Sequence, residues 1–296
     1  MTNSIAKWAR AHPIIALFVW FFPVAWAIAS VPLFVERPFG VEVPQVVFNS
    51  AATWVGGVLP VLVITWLVDG PAGLAAFGRR LVLLPKRGSV GWYALALLAL
   101  PLISLMLAVI VFGPPDVTPS TAISALVNGL LLQTVLSLLI VNVWEEVQWT
   151  SFVQARLQAQ RGVMLAAVIA GVLFALQHVP LFVLQGLLLI PVGQVIFAAF
   201  ILLAIPFRAL TFWIYNRTGS LLLVALVHAV GDAVSSGPFA PGFIPRLYPD
   251  QGAAVPFHLL ALALIGLVVI AATRARLGLP ARPALRAEAA AAPAAA

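Results

Sequence analysis

Acidic and imidazole side chains occur in three short motifs of an otherwise apolar chain. Glu145 and Glu146 stand in the segment WEEVQWTSF. His178 ends the segment FALQH, and His228 and Asp232 begin and end the segment HAVGD. Ionisable groups inside a membrane cost about 2.5–3.5 kcal/mol each on insertion scales, so those that are present usually have a function. Because carboxylates and imidazoles can activate water, relay protons or bind a divalent metal, we expect these residues to form one catalytic site.

The composition indicates the class of protein in which this site lies. Hydrophobic residues make up 63% of the 296 residues and charged residues only 8%, whereas about half and about a quarter are usual in soluble domains. Repeated apolar runs of about 20 residues are typical of membrane-spanning helices. The absence of cysteine excludes disulfides, thiol catalysis, Cys-ligated zinc and iron–sulfur clusters. We therefore predict an all-α, polytopic transmembrane helical bundle.

About eight apolar runs are candidate membrane spans. They cover Ile14–Phe34, Val46–Val68, Tyr93–Phe112, Ala122–Trp144, Val163–Val179, Val192–Trp213, Ser220–Val234 and Phe257–Thr273. With the N-terminus in the cytoplasm, eight spans place both termini there. Of the 16 Lys and Arg residues, all except Arg37 and Arg246 then fall on the cytoplasmic side, Arg208 among them, as the positive-inside rule predicts. Topology thus explains the net charge of +7, which does not indicate nucleic-acid binding.

The chain is predicted to form a single bundle with a short tail. Residues 1–279 make up the helical bundle, and residues 120–236 are the core that bears the motifs. Residues 280–296 (PARPALRAEAAAAPAAA) are of low complexity and rich in Ala and Pro, which predicts disorder.

Spacing along the chain predicts that the three motifs lie at matched depth. If the chain turns at Arg161, Glu145 precedes the turn by 16 residues and His178 follows it by 17. At 1.5 Å per residue both lie about 24–26 Å from the turn. His228 lies about 14 Å into the seventh span, with Asp232 on the same helical face at i+4. These residues should therefore meet in the cytoplasmic half to the middle of the bilayer.

The two adjacent glutamates cannot have the same function. Consecutive helical residues differ by about 100° around the axis, so Glu145 and Glu146 cannot both face one point. We assign them different functions within the site.

The ordered set of motifs resembles the CPBP family of intramembrane proteases. EE with a following aromatic residue, FxxxH and HxxxD occur on successive membrane segments, over roughly Asn142 to Ser235. This family contains the type II CAAX prenyl endopeptidases and bacterial relatives associated with bacteriocin self-immunity. The resemblance implies an intramembrane endopeptidase that hydrolyses a peptide bond of a membrane-anchored or lipidated substrate.

The resemblance also implies a role for each residue of the site. Glu145 would be the base that activates water, and His178 would share that water or bind a metal. His228 and Asp232 would form the opposite wall, where they stabilise the oxyanion or complete a ligand set. Glu146 would tether neighbouring helices or orient the other groups.

The chain departs from the family pattern at two positions. The first motif often ends in Arg, as EExxxR, but this chain has Thr150 there, which removes a partner for a glutamate. The last position of the third motif is commonly Asn, and this chain has Asp232. An amide can donate a hydrogen bond to an oxyanion, whereas an ionised carboxylate cannot.

Two mechanisms fit these residues. In one, Glu145 and His178 activate water directly and His228 contacts the oxyanion. In the other, Glu145, His178, His228 and Asp232 are the ligand set for Zn²⁺ or another divalent metal with an open position for water. Both mechanisms stay open at this point.

Two other classes of function use the same residues. One is a non-catalytic membrane scaffold or immunity factor, and the other is a proton-coupled transporter in which the polar groups form a relay. The expected partners are the lipid bilayer and a membrane-anchored or lipidated peptide that enters from the cytoplasmic side. The Ala- and Pro-rich composition is typical of bacteria, which places the protein in a bacterial cell membrane. The sequence indicates no oligomeric state.

Overall fold

The computed structural model describes residues 4–40, 43–82, 90–236, 240–251 and 257–279. Every regular element in these ranges is a helix, which confirms the predicted all-α fold. The tail predicted for residues 280–296 lies outside the described residues.

In the described part of the chain, six helices are long and apolar enough to cross a membrane. They are α1 (Pro13–Val35), α2 (Gln45–Val82), α3 (Gly91–Phe112), α4 (Pro119–Arg161), α5 (Val163–Leu184) and α6 (Pro191–Thr218). Two shorter apolar helices follow, α7 (Leu221–Ser235) and α8 (Phe257–Ala272). Short connecting elements are the helices Ser4–Ala11 and Phe243–Leu247 and the 3₁₀ turn Leu187–Leu189.

Each predicted span coincides with one of these helices, but the last two are shorter than a full crossing. Helix α7 has 15 residues and α8 has 16, whereas a straight crossing of the hydrocarbon core needs about 20. Most residues of α7 are buried by neighbouring helices. The polytopic bundle is therefore confirmed, while the number of crossings and the side on which each terminus lies stay predictions.

A sharp turn joins α4 to α5 at the predicted position. Helix α4 ends at Arg161, and α5 begins at Val163. Gly162 between them has a φ of 80°, a conformation that favours glycine. The two helices form the hairpin on which the depth of the site depends, and its tip carries a charged residue.

Helix α4 is irregular on both sides of the glutamate pair. The segments Leu138–Asn142 and Val147–Gln154 have π-helical hydrogen bonding, and the α-helical segment Val143–Glu146 lies between them. Such π segments are frequent at functional sites, because they rotate side chains away from the regular helical period. The directions of Glu145 and Glu146 are therefore set by this local geometry.

Two glycines allow α6 to pack closely against both of its neighbours, α5 and α8. A Cβ atom at Gly171 of α5 would collide with the backbone of Ile205, and one at Gly266 of α8 would collide with the backbone of Pro206. Small residues are the usual means by which membrane helices approach one another. The middle of α6 is therefore enclosed on two sides.

This enclosure corrects the assignment of Arg208 to the cytoplasmic side. The residue follows Pro206 in the middle of α6, and its side chain has no exposed surface. The positive-inside rule applies to loops and helix ends. Arg208 is instead a charged residue inside the bundle.

Candidate functional site

Glu146 lies at the centre of the buried polar network. Arg208 donates through Nη1 to both carboxylate oxygens at 2.9 Å, and Thr150 donates through Oγ1 to Oε2 at 2.5 Å. Nδ1 of His228 lies 2.8 Å from Oε1. Both ends of the Arg208–Glu146 ion pair are fully buried. A guanidinium stays protonated, so the carboxylate supplies the opposite charge that a buried guanidinium requires.

The contact with Glu146 defines how His228 presents its second nitrogen. A carboxylate only accepts hydrogen bonds, so Nδ1 of His228 carries the proton and donates it to Glu146. The other ring nitrogen, Nε2, faces Glu145 with a separation of 3.8 Å from its Oε2. His228 thus connects the two glutamates, with one nitrogen directed to each.

Glu145 differs from its neighbour in exposure and in partners. Its side chain retains 14% exposure, whereas that of Glu146 retains none. Oε1 of Glu145 accepts from Nε2 of Gln177 at 3.2 Å, and Oε1 of Gln177 accepts from the indole of Trp149 at 2.9 Å. The indole can only donate, so it fixes the orientation of the Gln177 amide. Glu145 is therefore the glutamate that is held in place and still accessible.

His178 joins the site through aromatic rings. Its Nδ1 lies 2.9 Å from the carbonyl oxygen of Phe174, which makes Nδ1 the donor and leaves Nε2 as the acceptor. The Phe174 ring contacts the imidazole of His178 with centroids 4.9 Å apart and that of His228 with centroids 5.6 Å apart. The structure therefore places the two histidines against the same ring.

Asp232 contacts the first motif helix through an amide. Its Oδ2 accepts from Nδ2 of Asn142 at 2.8 Å, and Asn142 is fully buried. No hydrogen bond or ion pair joins Asp232 directly to Glu145, His178 or His228 within the described residues. Asp232 thus lies on the His228 helix and is held by α4.

The residues of the site do not form a ligand set for a metal in this arrangement. Among the described residues, no group of three or more His, Cys, Asp and Glu side chains could hold a metal ion. The metal site predicted from Glu145, His178, His228 and Asp232 stays a prediction, and no step below depends on it.

Arg208 is the residue of the network that sequence reasoning missed. Its guanidinium carbon lies 4.0 Å from the ring centroid of Phe174 and 4.6 Å from that of Phe207. The signal for it was present, because Arg208 is a charged residue in the apolar run IPFRALTFW. The reasoning that singled out the glutamates applies equally to an arginine inside a span.

A network of carboxylate, imidazole and guanidinium groups inside an all-helical membrane bundle is typical of an intramembrane enzyme. Residues 126–234 match the family model described as type II CAAX prenyl endopeptidase, Rce1-like. This match, over 109 of the 296 residues, confirms the resemblance predicted from the three motifs. The matched stretch extends from α4 to α7 and contains all five predicted site residues together with Arg208. No curated protein matches the chain.

The family implies a multi-pass membrane protease that acts on a peptide substrate. That statement agrees with the six long apolar helices of the described chain. The match assigns no catalytic role to an individual residue.

Proposed function

We propose that the protein is an intramembrane endopeptidase that hydrolyses a peptide bond of a membrane-anchored or lipidated substrate, with Glu145 as the base that activates water. The observation that carries this proposal is the pair formed by Oε2 of Glu145 and Nε2 of His228, which are 3.8 Å apart. This separation exceeds a direct hydrogen bond, and one water oxygen can lie about 2.8 Å from both atoms. Each of the two side chains accepts or donates a second hydrogen bond, Glu145 with Gln177 and His228 with Glu146.

In the first step, Glu145 accepts a proton from the water as the water oxygen attacks the scissile carbonyl carbon. The carbonyl oxygen then becomes an oxyanion, which needs a hydrogen-bond donor aimed at it. His228 in its imidazolium form is that donor through Nε2–H. Glu146 stabilises this imidazolium through Nδ1, as the carboxylate of a hydrolase triad does.

In the second step, the tetrahedral intermediate collapses and the carbon–nitrogen bond breaks. The proton held by Glu145 passes to the leaving amine, so Glu145 acts first as base and then as acid. His178 packs against the same Phe174 ring as His228, and in this proposal its Nε2, as an acceptor, orients the water or the substrate amide. The two products are a peptide with a new carboxyl group and a peptide with a new amino group.

The placement of the site favours a substrate that is itself anchored in the membrane. Glu145 and His178 lie on α4 and α5, which share the turn at Arg161 and Gly162. Most of the site is buried within the bundle. A peptide tethered by a lipid or by an apolar segment is already concentrated at this depth. We place the protein in a bacterial cell membrane on the composition of its sequence.

The test is cleavage of membrane-tethered and prenylated peptides by purified protein, with the wild type beside Glu145→Gln. Gln keeps the shape of the side chain but cannot accept the proton, so the product should fall by at least about 100-fold. Asp116→Asn is the matched control, because it also removes one carboxylate and Asp116 is exposed in the loop before α4. Equal activity of Glu145→Gln and wild type would refute the role of Glu145.

Two further results of the cleavage assay distinguish the metal mechanism, the non-catalytic scaffold and the proton relay. Loss of product on chelation, with recovery on addition of Zn²⁺, would replace the direct mechanism by the metal mechanism. Absence of product from folded wild-type protein would favour the scaffold or the proton relay. The relay would then be measured as uptake that depends on a proton gradient.

A further inference from the structure

Two motif positions lack a group that the family pattern has, and each missing group is present on a neighbouring helix. Position 150 is Thr where the pattern often has Arg, and Arg208 of α6 binds the motif carboxylate of Glu146. Position 232 is Asp where the pattern commonly has Asn, and Asn142 of α4 donates its amide to that carboxylate. We infer an exchange of both groups between helices relative to that pattern: Arg208 of α6 supplies the guanidinium at Glu146, and Asn142 of α4 supplies the amide at Asp232.

The geometry at Glu146 shows why either helix can supply the guanidinium. Oε2 of Glu146 accepts from Thr150 at 2.5 Å and from Arg208 at 2.9 Å. Positions 150 and 208 therefore converge on one oxygen atom from two helices. Both side chains are fully buried, so there is room for one guanidinium at this oxygen but not for two.

Arg208 is a positioning residue in this arrangement, and this inference rests on the proposed function. Its hydrogen-bonded route to His228 runs through Glu146, whose Oε1 accepts both from Arg208 and from Nδ1 of His228. Loss of Arg208 should therefore impair the chemical step and leave substrate binding largely unchanged. The expected signature is a lower kcat with little change in KM.

The experiment compares Arg208→Ala, Thr150→Arg and the double variant with the wild type. Removing a group that orients a catalytic residue typically costs about 10–100-fold in activity, which is the loss expected for Arg208→Ala. Thr150→Arg alone crowds a second guanidinium into the site and should also lose activity. The double variant places one guanidinium in the space vacated by the other and should recover at least about 10-fold relative to Arg208→Ala.

Arg217→Ala is the matched control. Arg217 lies on the same helix and is exposed near its C-terminal end, so its removal should leave kcat unchanged. A folded double variant that is no better than the poorer single variant would overturn the exchange. If the folded wild type cleaves nothing, the proposed function fails. The exchange is then decided by stability alone, since the double variant must unfold at a higher temperature than Arg208→Ala.

The second exchange has its own reversal, Asn142→Asp combined with Asp232→Asn. Asn142→Asp alone places two carboxylates at the 2.8 Å contact and should be the more damaging single change. The double variant again pairs one amide with one carboxylate, but the carboxylate is now on α4 and the amide on α7. Activity of the double variant above that of Asn142→Asp supports the inference, whereas simple addition of the two losses contradicts it.

A different observation carries a second proposal, between the C-terminal part of α4 and the part of α2 on both sides of its kink at Gly70. A cavity of about 410 Å³ lies between these helices and is lined by polar groups and by apolar walls. Its charged lining residues are Asp69, Arg80 and Arg156. Asp69 pairs with Arg156 at 2.9 Å, and among the described residues Arg80 forms no ion pair. The cavity therefore has one positive charge in excess.

We propose that this cavity binds the phosphate of an acidic phospholipid. Basic cavities between membrane helices near the membrane surface bind anionic headgroups, and the apolar wall formed by Val61, Phe77 and Phe152 suits the start of an acyl chain.

The test is native mass spectrometry of delipidated protein with phosphatidylglycerol, phosphatidylcholine or inorganic phosphate as the probe. Phosphatidylglycerol should bind with one preferred equivalent, at least about 10-fold more tightly than phosphatidylcholine. Arg80→Gln should abolish this preference. Arg79→Gln is the matched control, because Arg79 is the exposed neighbour outside the cavity lining.

Three outcomes would overturn the lipid proposal. Equal binding of the two lipids would show that charge is not recognised. Equal loss of binding in Arg79→Gln and Arg80→Gln would show that only the overall charge matters. Tight binding of inorganic phosphate that displaces the lipid would make free phosphate the ligand.

Discussion

Two arginine–carboxylate pairs of this protein have the same length and different surroundings. Arg208 and Glu146 are 2.9 Å apart with both side chains fully buried. Arg156 and Asp69 are also 2.9 Å apart, but their side chains are 20% and 45% exposed. Distance alone therefore says little about what an ion pair contributes, because exposed pairs are worth about 0–1 kcal/mol and breaking a buried pair costs about 3–5 kcal/mol.

Neighbouring groups explain how the buried pair is accommodated. Nε and Nη2 of Arg208 have no hydrogen-bond partner among the described residues. The faces of Phe174 and Phe207 lie 4.0 Å and 4.6 Å from the guanidinium carbon and provide cation–π contacts instead. The exposed pair has one such contact, between Arg156 and Phe152 at 3.9 Å, and both of its side chains reach solvent. The buried pair thus depends entirely on protein groups.

The largest expected effect is that of Glu146→Gln, which leaves the Arg208 charge buried without a counter-charge. We expect a loss of about 3–5 kcal/mol in the free energy of unfolding. Equilibrium unfolding in mixed micelles, followed by circular dichroism, measures it. A loss below about 1 kcal/mol would place this pair in the same class as the exposed one.

Removal of both charges should be milder than removal of one. A variant with Glu146→Met and Arg208→Met has no stranded charge, and the unbranched side chains can fill the space. We expect it to recover at least about 2 kcal/mol of the loss seen in Glu146→Gln, measured by the same unfolding experiment. If the loss in the double variant equals the sum of the losses caused by its two single changes, the two side chains are not coupled and the comparison fails.

The sequence predicts the parts of this network that depend on spacing within one helix. The helix positions, the turn at Arg161 and the pairing of Phe174 with His178 follow from the apolar runs and from i, i+4 spacing. The contact between Glu146 and His228 was not predictable, because it depends on how α4 and α7 are rotated about their axes. The π-helical segments of α4 affect that rotation, and the sequence pattern does not reveal them.

The compensation for Thr150 was hidden for a related reason. A sequence motif within one helix shows that the arginine is missing at position 150. The motif does not show that Gly171 and Gly266 let α5 and α8 approach α6 closely. This close packing buries Arg208 beside the same carboxylate. Contacts between helices require the packing, whereas contacts within a helix require only the spacing.

The uncharged Gln177, which links Trp149 to Glu145, should contribute to stability by an amount between those of the two ion pairs. We call this link the Gln177 relay. Gln177 accepts from the buried indole of Trp149 and donates to Glu145. Gln177→Leu leaves the indole N–H unsatisfied, which should cost about 1–3 kcal/mol in the free energy of unfolding. The control is Gln185→Leu, since Gln185 is exposed in the loop after α5 and its change should stay within about 0.5 kcal/mol. Similar losses in both variants would mean that the relay contributes nothing.

The smallest effect belongs to the exposed pair. Asp69→Asn removes the carboxylate that binds Arg156, and because both groups reach solvent we expect a loss of at most about 1 kcal/mol. Salt should reduce this loss further, since it screens exposed charges far more than buried ones. Thermal unfolding in a non-ionic detergent at low and high salt measures both quantities, with Asp116→Asn as the control for loss of an exposed carboxylate. A loss for Asp69→Asn that is large and independent of salt would show that this pair is shielded from solvent like the buried one.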